Sequence, residues 1–168
     1  CESEPGAGTL FRLYFPAMQT VCVPDSREKP KLASPQPGIV LIVEDNESVA
    51  ELEQAVIQKG GYETLLMTSP VEALEKFRKK HQEISLVVLD LVMPELSGKE
   101  CLKEMRRIDP DVKVLVVSGY GPDDYMVQEI LHQVTGFLSK PCSNRELLEA
   151  VELAITSEIH VWDTSALR

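Results

Sequence analysis

Five runs of branched apolar residues recur along residues 38–157, and a stretch with helical spacing follows each run. Apolar runs without alternation are typical of strands covered on both faces, as in parallel sheets. The predicted strands are 39–43, 62–67, 86–89, 112–117 and 136–139. Helices are predicted at 46–59, 70–80, 98–108, 122–133 and 144–157. Strands that alternate with helices predict an α/β fold: a doubly wound, five-stranded parallel sheet in the flavodoxin-like order 2-1-3-4-5, with helices on both faces.

Local signals mark where several helices begin. Ser69, Ser97 and Ser143 are each followed three residues later by Glu, which is the capping-box pattern of a helix start. Gly60 and Gly61 end the first predicted helix. Helical spacing predicts that this helix buries one apolar face, formed by Val49, Leu52, Val56 and Ile57.

Four segments differ in composition. Residues 24–37 contain four prolines and predict an extended linker. Residues 1–23 precede it, and the run Leu10–Phe15 predicts a short strand with no visible partner. Residues 38–157 form the α/β domain, and residues 158–168 lose periodicity and predict a tail. The start at Cys1 favours a fragment of something longer.

Charge and cysteine content exclude several classes of protein. The net charge is −10, and residues 1–37 carry four acidic and four basic side chains, so all of the excess lies in residues 38–168. Nucleic acid is therefore not an expected partner, because phosphate contacts need a basic surface. No apolar run approaches the length of a membrane span, so no membrane contact is expected of this fragment. The four cysteines show no zinc-ligand spacing, and a reducing, cytoplasmic location is expected.

Polar residues follow the strands where a doubly wound sheet binds its ligands. Glu44 and Asp45 follow the first strand and Asp90 the third, and these strands are neighbours in the predicted order. Three converging carboxylates repel one another unless a cation intervenes, and oxygen ligands with room for water suit Mg²⁺. Ser118 and Lys140 follow strands four and five. Such a set has the parts needed to transfer a phosphoryl group onto Asp90.

These motifs, in this order and at this spacing, resemble the receiver domain of two-component response regulators over residues 38–157. The resemblance is carried by Val43-Glu44-Asp45-Asn46, Leu89-Asp90-Leu91-Val92-Met93-Pro94 with Gly98, Val117-Ser118-Gly119 and Phe137-Leu138-Ser139-Lys140-Pro141. It implies that Asp90 accepts a phosphoryl group from a phosphohistidine. It implies a Mg²⁺ site in which Asp90 and Asp45 are ligands, Glu44 acts through water, and the carbonyl of Val92 takes part.

The same resemblance implies roles for the last two strand ends. Ser118 and Lys140 bind the phosphoryl oxygens, and the Lys140–Pro141 peptide bond is cis. Ser118 and Phe137 form a switch: movement of Ser118 toward the phosphoryl group lets the Phe137 ring turn, which remodels the helix at 122–133. Cys142 stands where the family more often has a bulky apolar residue.

Residues 3–16 resemble the closing turn and last strand of a histidine-kinase ATP-binding domain. Because they precede a linker and a receiver, the chain is similar to the C-terminal end of a hybrid histidine kinase. The implied partners are the histidine-kinase core of the same or another chain and a histidine phosphotransfer protein. Whether the parent kinase is anchored in a membrane stays open.

Two other functions stay open at this stage. A Mg²⁺-dependent phosphatase with an Asp nucleophile uses a similar sheet, but it usually has a second Asp two residues later, where this chain has Val92. A passive docking module would use the acidic face without taking phosphate. As an enzyme, the fragment is expected at most to phosphorylate itself at Asp90 and slowly hydrolyse the product.

Overall fold

A computed structural model describes residues 2–4, 8–10, 12 and 38–157. The chain divides into two compact units, residues 1–31 and 32–168. In the first unit, β1 (Glu2–Glu4) pairs antiparallel with β2 (Gly8–Leu10). Strand β2 contains Leu10, the first residue of the predicted strand, and begins two residues earlier. The prediction that this strand lacks a partner was wrong, because β1 pairs with it. Residues 11 and 13–15 of the predicted strand lie outside the described residues.

The second unit alternates strands and helices, as predicted. Its elements are β3 (Ile39–Val43), α1 (Glu47–Lys59), β4 (Glu63–Met67), α2 (Pro70–Lys80), a 3-10 turn (His81–Glu83), β5 (Ile84–Leu89), α3 (Gly98–Ile108), β6 (Val114–Ser118), α4 (Tyr125–Leu131), β7 (Gly136–Ser139) and α5 (Asn144–Thr156). Strands β3 to β7 form one parallel sheet in the order β4-β3-β5-β6-β7. This is the predicted order 2-1-3-4-5, so the predicted fold class is confirmed.

The apolar strands supply core to both faces of the sheet. Alternate residues of β3 enter opposite clusters: Leu41 and Val43 pack on one face, and Val40 and Ile42 on the other. Helices α2, α3 and α4 cover the first face, and α1 and α5 cover the second. Burial on both sides explains why these strands are continuous apolar runs. No helix in the described ranges is long and apolar enough to cross a membrane.

The capping signals set most helix ends. Ser97 and Ser143 form complete capping boxes with Glu100 and Glu146, and the Ser69 side chain accepts the amide of Glu72. Helix α4 is shorter than predicted, because Asp124 acts as its cap and its Oδ1 accepts the Met126 amide at 2.9 Å.

The predicted buried face of α1 was partly wrong. Leu52 is 57% exposed, whereas Glu53 is only 6% exposed. Val56 and Ile57 are buried as predicted. A buried carboxylate therefore stands on the inner side of α1, next to apolar core.

Candidate functional site

The acidic side chains meet because β3 and β5 are adjacent and in register. Val43 lies opposite Leu89, and the Asp90 amide donates to the Val43 carbonyl at 3.0 Å. Glu44 is anchored from the other side, where its amide donates to the Met67 carbonyl of β4 at 3.2 Å. One carboxylate oxygen from each of Glu44, Asp45 and Asp90 lies within 4.8 Å of the others. The structure therefore brings together the three side chains that the sequence predicted to converge.

Lys140 places an ammonium among these carboxylates. Its amide donates to the Ser118 carbonyl at 2.7 Å, which fixes the end of β7 beside the end of β6. Its Nζ donates to Glu44 Oε2 at 2.5 Å and to Asp90 Oδ2 at 2.8 Å. The Lys140–Pro141 bond is cis, as the resemblance implied.

Burial and the ammonium set the charge state of the site. Burial raises the pKa of Glu44 above its usual range, and Lys140 only partly offsets this effect. For Asp90, burial also raises the pKa, but hydrogen bonds from Lys140 and from the Val92 amide outweigh burial and hold the pKa below its usual range. The pKa of Lys140 is raised, because Asp90 and Glu44 more than offset its burial. Asp90 is thus an ionised carboxylate beside a charged ammonium, as a nucleophile for a phosphoryl group requires.

The residues present fit a divalent cation. Buried Glu44 lies beside Asp90, and two close carboxylates with one shared ammonium leave an excess of negative charge. An all-oxygen donor set of this kind suits Mg²⁺. Val92 lies next to the site, because its amide donates to Asp90 Oδ1 at 3.0 Å, while its side chain is 53% exposed. The carbonyl of Val92 as a ligand stays a prediction.

The two residues predicted to form a switch, Ser118 and Phe137, are both buried. Ser118 is fully buried, and its Oγ accepts the Tyr120 amide at 3.2 Å. No hydrogen bond joins the Ser118 side chain to Asp90 or to the Lys140 ammonium within the described part of the chain. Phe137 is 7% exposed and packs in the core cluster that also contains Val127 and Ile130 of α4. Phe137 therefore shares a core cluster with α4, and its role in a switch with a second packing stays a prediction.

Sequence reasoning missed one charged residue near the site. Glu53 Oε1 lies 3.9 Å from Lys140 Nζ, and its side chain is 8% exposed. The signal available in the sequence was a carboxylate beside Leu52, but helical spacing fits both residues and the apolar character of Leu52 favoured it.

Comparison with known proteins places this site in a family. The response regulator receiver domain model matches residues 40–152. The chain is 34% identical over 160 residues to the sensor kinase CckA of Brucella abortus, a match that covers 90% of this chain and 17% of the kinase. The chain thus spans about a sixth of the length of that relative.

Two solved structures show the same fold. The receiver domain of the hybrid histidine kinase CckA is 28% identical, with a TM-score of 0.60, and the match covers 71% of this chain and 100% of that one. The response regulator TrrA of Thermotoga maritima, solved in complex with Mg²⁺ and BeF, is also 28% identical, with a TM-score of 0.62, and the match covers 70% of this chain and 98% of that one. The chain therefore belongs to the response regulator receiver domain family of two-component signalling, whose general function is to accept a phosphoryl group.

Proposed function

We propose that Asp90 accepts the phosphoryl group from a phosphohistidine, with Mg²⁺ in the acidic site, and that the product changes the surface for a downstream partner or for feedback on a parent kinase. One observation carries the proposal: the Asp90 carboxylate is held between the Val92 amide and the Lys140 ammonium, at 3.0 and 2.8 Å. An ionised, oriented carboxylate beside a fixed positive charge favours phosphoryl transfer by positioning and charge neutralisation.

The transfer forms one bond and breaks one. A carboxylate oxygen of Asp90 attacks phosphorus, the N–P bond of the phosphohistidine breaks, and its electron pair stays on the imidazole nitrogen. The Lys140 ammonium, which shares its charge between Glu44 and Asp90, donates to a phosphoryl oxygen as negative charge collects there. Its raised pKa keeps it protonated throughout.

Three side chains and one carbonyl would hold Mg²⁺. Asp45 and Asp90 would bind it directly, Glu44 would act through water, and the Val92 carbonyl would take part. When bound, the ion neutralises the carboxylates and the phosphoryl oxygens. The TrrA complex with Mg²⁺ and BeF supports a Mg²⁺ site by likeness.

Ser118 and Phe137 would carry the signal away from the site. The Ser118 hydroxyl, whose oxygen accepts the Tyr120 amide in this structure, would move to donate to a phosphoryl oxygen, and Phe137 would repack against α4. The charge-assisted hydrogen bond favours this second packing, so phosphorylation shifts a population between two states.

The donor would be the histidine-kinase core of a hybrid kinase, and a histidine phosphotransfer protein would be the next carrier. The CckA match supports this origin, because at 90% of the chain it includes part of residues 1–37 as well as the receiver. In this proposal residues 1–23 belong to the kinase ATP-binding domain, 24–37 form the linker, and the whole protein acts in the cytoplasm.

Mass spectrometry after incubation with acetyl phosphate and Mg²⁺ tests the proposal. We expect one added phosphoryl group in the wild type and none in Asp90→Asn, because the amide is not a nucleophile for phosphorus. Asp111→Asn is the matched control, since Asp111 is an exposed aspartate in the loop before β6 and should leave the adduct unchanged. An adduct that persists in Asp90→Asn would reject Asp90 as the acceptor.

The same preparation distinguishes the two alternatives. Turnover of small phosphomonoesters would favour a phosphatase; we expect none, because the exposed side chain of Val92 offers no general acid beside Asp90. Binding to the kinase core that is equal in the wild type and in Asp90→Asn, with or without phosphate, would favour a passive docking module.

A further inference from the structure

Glu53 is a buried carboxylate that the proposed reaction does not use. Its side chain is 8% exposed on the inner face of α1, where its buried neighbours along the helix are Ala50, Val56 and Ile57. Burying a carboxylate among apolar groups is costly unless a positive charge compensates for it. In the described residues the compensating charge is Lys140, whose Nζ lies 3.9 Å from Glu53 Oε1.

Glu53 and Lys140 form an ion pair without a hydrogen bond. Its length of 3.9 Å exceeds that of a hydrogen bond, whereas Glu44 and Asp90 accept the ammonium at 2.5 and 2.8 Å. Three carboxylates thus surround one ammonium, and they reach it from α1, β3 and β5. Burial and then the charge of Glu53 raise the pKa of the Cys142 thiol, two residues beyond Lys140.

Glu53 differs from Glu44 and Asp90 in its role during the proposed phosphoryl transfer. The carboxylates that could hold a cation together are Glu44, Asp45 and Asp90, and Glu53 is outside that group. On transfer, Asp90 gives up its free carboxylate to the new bond, and Glu44 faces the metal site. Glu53 forms no bond in the transfer, so it stays beside Lys140 throughout.

We propose that Glu53 is a positioning residue for Lys140: from α1 it holds the ammonium at the end of β7, within reach of Asp90, while the other carboxylates change partners. The proposal rests on the proposed function, because that function assigns Lys140 to the phosphoryl group. Glu53 touches neither phosphate nor metal, so it acts through Lys140 alone.

The first test compares phosphorylation rates with acetyl phosphate and Mg²⁺ at about pH 8, where Glu53 is ionised. Glu53→Gln keeps the shape and removes the charge, so we expect the rate constant for phosphorylation to fall about fivefold. Glu53→Asp, which keeps the charge, should recover part of the rate. Glu51→Gln is the matched control, since it makes the same change of charge on the exposed face of α1 and should leave the rate unchanged.

A purely structural role differs in the rate. Replacing the buried carboxylate by a neutral side chain would then leave the phosphorylation rate at the wild-type value, whatever its effect on the stability of the fold. A wild-type rate in Glu53→Gln would overturn the proposal. Glu53→Leu provides a second neutral variant should Glu53→Gln fail to fold, and the same comparison applies to it.

The second test does not depend on phosphate. The NMR order parameter of the Lys140 ammonium group, measured without Mg²⁺ or donor, should fall in Glu53→Gln and stay at the wild-type value in Glu51→Gln. An unchanged order parameter in Glu53→Gln overturns the positioning role. If the wild type takes no phosphate at Asp90 but Glu53→Gln still frees Lys140, the proposed function fails and the positioning role stands.

Discussion

Lys140 is the residue on which the charge balance of the site depends. Its ammonium pairs with the buried carboxylates of Glu44 and Asp90, and 23% of its side chain is exposed. Without it, the acidic side chains after β3 and β5 would lose the ammonium that pairs with them in the described part of the chain. A partly buried ion pair of this kind is costly to break by removing one partner, because the remaining charges stay buried.

Lys140→Met should therefore destabilise the domain by about 2 kcal/mol near neutral pH. The depressed pKa of Asp90 means that its ion pair adds stability above its unfolded-state value and loses this stability as the pH falls. The difference between wild type and variant should thus shrink below about pH 4. Urea unfolding across this pH range measures it. Lys80→Met is the control, since Lys80 pairs with Glu83 at the surface and should change stability by under about 0.5 kcal/mol; equal losses in both variants would contradict the prediction.

The pH dependence of stability should also carry the signature of Glu53. Burial raises its pKa to about 7, so the folded state binds a proton that the unfolded state has already released. Stability should fall as the pH rises from about 4.5 to about 7 and then level off. Glu53→Gln should remove most of this slope and raise the free energy of unfolding at about pH 8 by roughly 2 kcal/mol. Denaturant unfolding at several pH values checks this, and we expect Glu51→Gln to keep the pH dependence of stability. If the pH dependence persists in Glu53→Gln, another titrating group causes it.

At the scale of elements, the loop after β5 depends on how closely α3 begins beside it. The Gly98 amide donates to the Leu91 carbonyl at 3.1 Å. A Cβ at Gly98 would lie 2.2 Å from the Asp90 carbonyl oxygen and 2.7 Å from Leu91 Cα. Both contacts are with backbone, so no side-chain rotation can relieve them.

Gly98→Ala should therefore displace the backbone that carries Asp90. We expect a loss of about 2 kcal/mol in the free energy of unfolding and a slower phosphorylation of Asp90. Gly121→Ala is the matched control, because a Cβ there meets nothing within 4 Å. Thermal unfolding and the acetyl phosphate assay measure both effects, and wild-type behaviour of Gly98→Ala in both would show that α3 can move away at no cost.

The elements also show where sequence reasoning succeeds. Strand positions follow from apolar runs, and the starts of α3 and α5 follow from Ser97 and Ser143, because both signals are local. The burial of Glu53 could not be predicted in this way, because helical spacing is compatible with either Glu53 or Leu52 on the inner face of α1. What decides between them is the ammonium of Lys140, which arrives from β7, far along the chain. The pattern of apolar and polar residues within α1 therefore cannot predict the contact between Glu53 and Lys140.

At the scale of the whole molecule, the convergence of the site could be predicted because strand order is constrained. Parallel strands with right-handed crossovers place the ends of β3 and β5 side by side, and the carboxylates follow. The distances of the Lys140 pairs could not be predicted, since they depend on packing across the sheet. The family match at residues 40–152 lies within the α/β unit, as does every residue of the candidate site.

The α/β unit should accordingly be sufficient for both folding and phosphorylation. A chain of residues 38–157 keeps all five strands of the parallel sheet and both core clusters, so we expect it to unfold within about 2 °C of the full chain. Its rate of phosphorylation at Asp90 should equal that of the full chain. The control begins at Glu44 and lacks β3, which pairs with both β4 and β5, and it should not fold. Calorimetry and the acetyl phosphate assay decide the matter: a 38–157 chain that melts well below the full chain would mean that residues 1–37 or 158–168 contribute to the stability of the receiver.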